Sequence, residues 1–148
     1  MSGGGLVYSF GRENSEGQLG VGDNLPRTLP TLIVSLKSMK ENIKSISCGF
    51  KHSIVKGGLG KVFVWGAGDC GQLGLGSNQH EFSPKLLNTD KLTSLKFKVI
   101  QVKAGFKSSM ILFENGSIFW WGTTSRLKCC CNPVQMNYSS RIDVNILF

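Results

Sequence analysis

Short apolar runs alternate with glycine-rich polar stretches along the whole chain, and the runs are too short for helices. LVYSF (6–10), VFVW (62–65) and SIFWW (117–121) are rich in β-branched and aromatic residues, and a glycine ends each one. KSISC and HSIV flank Gly49, and VIQVKA and SMILF flank Gly105, in the manner of two strands joined by a tight turn. Pro-marked segments, LPTLIV (29–34) and SPKLL (83–87), supply a further strand each. No stretch has the 3.6-residue periodicity of a convincing amphipathic helix. The pattern predicts an all-β chain of short strands and close turns.

The pattern also repeats. LVYSFG (6–11) aligns with KVFVWG (61–66) and SIFWWG (117–122); GQLGVG (17–22) aligns with GQLGLG (71–76); SISCGFKHSIV (45–55) aligns with IQVKAGFKSSM (100–110). These landmarks keep one order and one period of about 55 residues, with about four strands per period, which is the signature of a β-propeller blade. The expected organisation is a flexible leader (1–5), a first repeat (6–60), a second (61–116) and a degenerate or truncated third (117–148). After Trp121-Gly122 no GQLG follows, although Asn132-Pro133 echoes Ser83-Pro84.

These repeats resemble those of the regulator of chromosome condensation family. The resemblance rests on VYSFG with GQLGVGD, VFVWGAGDCGQLGLGS, IKSISCGFKHSIV and VIQVKAGFKSSMI, and it covers residues 5–122. It implies a seven-bladed propeller of which this chain carries two to three blades of four antiparallel strands, an open ring whose remaining blades are missing. It also implies an interaction module. Some family members exchange guanine nucleotide on a small GTPase by wedging loops into it, without covalent chemistry; others serve trafficking, ciliary or ubiquitin-ligase proteins. The expected partner is therefore a protein, with a small GTPase as the specific candidate, in the cytoplasm or nucleus. A non-functional truncated isoform is the third alternative.

Composition supports a folded domain: hydrophobic residues make up 41%, and glycine, with 19 residues, far outnumbers proline, with 4. Neither a secretory leader nor a membrane-spanning run is seen, so the Asn115 and Asn137 sequons read as chance matches. The five cysteines (Cys48, Cys70, Cys129, Cys130 and Cys131) include no C-x-x-C pair, so they read as reduced thiols. A reactive or lipidated 129–131 cluster is the alternative.

One stretch invites a different chemistry. Gly66, Gly68 and Gly71 fit the G-x-G-x-x-G spacing of a dinucleotide cradle, directly after a strand. That motif needs a helix to follow, whereas QLGLGSNQHEFSP carries glycines and a proline. The equivalent turn of the first repeat places Glu13 where a pyrophosphate would lie. No cofactor or metal is expected, and Gly11, Gly17, Gly20, Gly66, Gly71, Gly74 and Gly122 read as structural turns. His52 and His80 lack the partners of a catalytic or metal site, and His52 reads as a semi-buried residue bonded to nearby backbone. The tryptophans read as packing residues, with Trp120 facing the other side of its strand. Nothing assembles a nucleophile, base and orienter, so no enzyme is expected.

The net charge of +8 is concentrated in two stretches. Residues 35–61 and 91–128 are strongly basic, and the remainder is acidic. Lys37, Lys40, Lys44, Lys51, Lys91, Lys96, Lys98, Lys103 and Lys107 fall in equivalent parts of successive repeats. They are expected to line one face, either as a solvated surface or as a docking face for an acidic partner or nucleic acid.

Overall fold

In the computed structural model the described residues are 5–39, 42–92, 97–124 and 127–136. They form ten strands in three antiparallel sheets. Strands β1 (Tyr8–Gly11) and β2 (Arg27–Leu32) pair as a two-stranded first blade. The second blade is β3 (Ile43–Cys48), β4 (His52–Gly57), β5 (Val62–Gly66) and β6 (Glu81–Leu87), paired in that order. The third is β7 (Val99–Ala104), β8 (Ser108–Phe113), β9 (Ile118–Thr124) and β10 (Leu127–Gln135), also in chain order. The expected all-β partial propeller is what the chain forms.

The sequence period and the blades are out of phase. The first period begins with β1 and β2, the outer strands of blade one, and ends with β3 and β4, which open blade two. The second period likewise finishes blade two and begins blade three. β9 and β10 then complete blade three from the degenerate third unit.

The apolar runs are continuous because the middle strands are covered on both sides. Val55, Phe63 and Trp65 face blade one and pack with Val7, Ile33 and Leu36. Ile54, Val62 and Val64 face blade three and pack with Val102, Ile111, Phe113, Phe119 and Trp121. β5 is buried at every position, so VFVW shows no polar alternation. β7 packs against β3 and β4, and the Ala104 N–H donates to Ser47 Oγ at 2.9 Å, linking the first strands of the two complete blades.

One element departs from the strand-only expectation. After β2 the chain makes a short helix, α1 (Val34–Ser38), which seats the buried Leu36 in the core between blades one and two. It has no side-chain N-cap bond and is too short to show a helical period, so tertiary burial of Leu36 explains it best.

Candidate functional site

The up-and-down course of the strands sorts every loop to one of two ends. The β3–β4 and β7–β8 turns, with the long loops 12–26 and 67–80, lie at one end, called here the turn end. The β4–β5 and β8–β9 turns, with residues 33–39, 88–92 and 97–98, lie at the other.

At the turn end the loops containing GQLG are closed on themselves and on the next blade. The Gly71 N–H donates to the Gly68 carbonyl, the Gly74 N–H to the Gly71 carbonyl, the Gly68 N–H to His80 Nδ1 and the Cys70 N–H to Gln72 Oε1. These amides are therefore spent inside the fold and are not aimed at a phosphate. A Cβ on Gly68 would lie 1.8 Å from the Gln79 carbonyl oxygen, so close backbone approach is what requires glycine there.

The loop then caps a tryptophan of the following blade. The Gln18 carbonyl accepts from Trp65 Nε1 at 2.9 Å and from Ser53 Oγ at 3.3 Å. One period on, the Gln72 carbonyl accepts from Trp121 Nε1 and Ser109 Oγ, both at 2.8 Å. Gly20 and Gly74 lie against these indoles with φ of 69°, and a Cβ on Gly74 would lie 2.7 Å from Trp121 Nε1. Gly17, Gly66, Gly71 and Gly122 also have positive φ; Gly11 does not, and its turn needs no left-handed residue. Gly22, Gly60, Gly76 and Gly116, absent from the sequence-derived set, share the positive φ.

His52 is fully buried and joins blade two to blade three. Its Nε2 lies 2.9 Å from Ser109 Oγ. The single Ser109 proton goes to the Gln72 carbonyl, so Nε2 carries hydrogen and Nδ1 is a bare lone pair with no partner. Burial pushes its pKa down to about 4, against a smaller upward effect of a backbone hydrogen bond with Ser108. The expected semi-buried histidine with a local backbone partner is thus an interblade side-chain link. The signal for it is the histidine itself, since Ser108 stands at the same place one period later.

A cleft of about 240 Å³ opens at the turn end, lined by Glu16, Phe50, Lys51, Asp69, His80 and Lys107 among others. Phe50 and Phe106 stand at its edge at equivalent turn positions. Their rings stack with centroids 4.5 Å apart while remaining 58% and 66% exposed. Lys107 Nζ is 2.8 Å from Asp69, and Lys51 Nζ is 3.6 Å from Glu16. Bonds from Lys107 and Gln72 hold the Asp69 carboxyl down at about 2, and Asp69 raises Lys107. His80 Nδ1 accepts from the Gly68 amide, so Nε2 is protonated and donates to Glu16 at 2.9 Å.

The lysines singled out in the sequence do not share one end. Lys51 and Lys107 lie at the turn end beside carboxylates. Exposed Lys37, Lys44, Lys91 and Lys98 lie at or near the opposite end, and Lys103 projects from β7 near the turn end. Lys40 and Lys96 fall outside the described residues. Equivalence along the period brings positions to the same end only when they occupy the same place in the hairpin, and Lys51 and Lys44 do not. Trp120 is half-buried on the side of β9 opposite Trp121. Among the described residues no group of acidic, histidine and cysteine side chains could hold a metal ion, and no helix is long and apolar enough to cross a membrane.

The two sequence periods that build these junctions match a known repeat. Residues 4–55 and 60–112 fit the Regulator of chromosome condensation (RCC1) repeat. The chain belongs to this family. The propeller of Prp20p from Saccharomyces cerevisiae superposes with a TM-score of 0.79 at 25% identity, covering 95% of this chain and 36% of that one. The human X-linked retinitis pigmentosa GTPase regulator is 34% identical over 128 residues, 84% of this chain and 12% of its own length. The probable E3 ubiquitin-protein ligase HERC6 of Homo sapiens is 38% identical over 120 residues, 80% of this chain and 11% of its own. The chain thus spans about a third of the solved propeller and about an eighth of these relatives.

Proposed function

We propose that this chain is a protein-docking segment of a propeller, and that the turn end meets the partner. The observation that carries this reading is the stacked, exposed pair Phe50–Phe106 beside a cleft of paired charges. Two large aromatic rings held on short turns bury apolar area on docking with little loss of conformational freedom, as interface anchors do. Lys51–Glu16 and Lys107–Asp69 give the rim fixed charges of both signs, which select a partner's orientation more than they add affinity.

The partner we infer is a small GTPase. One relative is named a GTPase regulator, and the Prp20p structure is described with its binding to Gsp1p and histones. Regulation of this kind needs surface complementarity at the nucleotide site rather than covalent chemistry. The test is GDP release from a panel of small GTPases, using this chain and its Phe50→Ala/Phe106→Ala variant. Accelerated release from one GTPase, weakened roughly tenfold or more in the variant, is expected. No response across the panel sinks the GTPase reading, and an unimpaired variant sinks the assignment of the turn end.

The exposed Lys37, Lys44, Lys91 and Lys98 favour a second reading, in which the opposite end binds nucleic acid through phosphates. Affinity for duplex DNA should then fall steeply between low and physiological salt; flat binding would exclude that mode.

A further inference from the structure

The repeat places equivalent residues at each interblade junction, so a substitution at one junction can be read against the other. At the first, Glu16 stands just before the GQLG loop and His80 lies two residues before Phe82; they meet at 2.9 Å. A Cβ on Gly17 would lie 2.7 Å from Phe82 Cα, which fixes the approach of that loop to the outer strand of the next blade. At the second junction a Cβ on Gly71 would lie 2.7 Å from Cys131 Cα. The Gly22 amide bonds the Phe82 carbonyl, and the Gly76 amide bonds the Cys131 carbonyl, each at 2.9 Å. Cys131 therefore takes the place of Phe82, Cys70 that of Glu16, and Cys129 that of His80. Lys107 Nζ lies 3.6 Å from Cys70 Sγ, as Lys51 Nζ lies 3.6 Å from Glu16.

Where the first junction holds a carboxylate–imidazole pair, the second holds two thiols. We propose that Cys70 and Cys129 are a redox-responsive pair that forms a disulfide between blades two and three. Cys129 is exposed and Cys70 half-buried, so the entry point for an oxidant is Cys129. Its thiolate attacks one sulfur of oxidised glutathione, and one glutathione thiolate leaves. Cys70, its proton lost to solvent, attacks the Cys129 sulfur of the mixed disulfide and expels the second glutathione. Glutathione disulfide is reduced to two thiols while the protein gives up two electrons and two protons. Burial, and after it Cys129 and Asp69, hold the Cys70 thiol up, and Lys107 acts against them, so rising pH speeds the second step by freeing the Cys70 thiolate. The new bond closes a loop of roughly sixty residues and so restricts the unfolded chain.

The test is incubation of the full chain with oxidised glutathione at about pH 8, followed by alkylation of free thiols and unreduced peptide mapping. The expected result is loss of two of the five free thiols and a cross-link between the Cys70 peptide and the peptide beginning at Cys129. The link should vanish in Cys70→Ser and Cys129→Ser and survive in Cys48→Ser, Cys130→Ser and Cys131→Ser. Oxidation should also raise the urea midpoint of the wild-type chain and leave that of Cys129→Ser unmoved. Five free thiols after treatment, a lasting glutathione adduct without a cross-link, or a link that survives Cys129→Ser would each overturn the proposal.

Discussion

When the pH falls from 7 to 5 an ordinary histidine takes up a proton, and His52 should not. Its imidazole is buried between two blades, with Nε2–H committed to Ser109 Oγ and a lone pair on Nδ1 that has no room for a solvated proton. With a folded pKa of about 4 against 6.5 for the free side chain, only the unfolded chain gains a proton in this window. A lowered histidine pKa means that stability is complete above 6.5, falls as the pH drops towards 4, and levels off below it. Across the whole shift the loss is about 3 kcal/mol, of which about 2 kcal/mol should appear between pH 7 and pH 5. Urea unfolding of wild type and His52→Ser at both pH values isolates this contribution, because the two proteins share every other ionisable group. Serine is a sound replacement, since Ser108 occupies the equivalent site. The wild type should lose about 2 kcal/mol more than the variant between the two pH values. Parallel losses would refute the buried, neutral assignment, as would an imidazole resonance of folded His52 that titrates near 6.5.

Three further outcomes follow from the same geometry. Gly74→Ala should cost about 2–4 kcal/mol in chemical denaturation, since it combines a left-handed backbone with a Cβ pressed on the Trp121 indole. Gly116→Ala has a similar φ of 83° but open space around the Cβ, and should cost only about 1 kcal/mol; equal losses would show that contact with Trp121 is unimportant. Trp121→Phe removes one donor to the Gln72 carbonyl but leaves the Ser109 hydroxyl on it, so the hydrogen-bond part of the loss should be about 1 kcal/mol. A Ser109→Ala/Trp121→Phe double variant should lose more than the two single losses added together. Phe50→Ala/Phe106→Ala should change the urea midpoint little, because both rings are mostly exposed.

Strand positions and the repeat were legible because glycines punctuate many of the strands and because the same landmarks return at one period. The loop GAGDCGQLGLG was readable as a blade element for the same reason, once EGQLGVG stood beside it. Three things were not. α1 exists to bury one residue, Leu36, and leaves no period in five residues. The ends to which the lysines project depend on hairpin direction, which a linear alignment of repeats does not display. The role of His52 depends on Ser109, 57 residues away, and only packing of β4 on the neighbouring blade joins them.

The offset between period and blade explains why GQLG is the most recognisable part of each repeat. A blade's outer pair and the next blade's opening pair lie in one sequence unit, so the chain itself ties each neighbouring pair of blades. That leaves the contact between the loop and the following tryptophan to be secured by side chains. The glutamine carbonyl must accept an indole N–H and a serine hydroxyl together, and the glycine after leucine must let the indole lie flat against backbone. The second requirement does not tolerate a side chain in place of glycine, whereas strand positions accept any apolar residue of suitable volume. The third unit, which lacks GQLG, still completes its blade through β9 and β10. The motif therefore serves the joint between blades, not the sheet in which it begins.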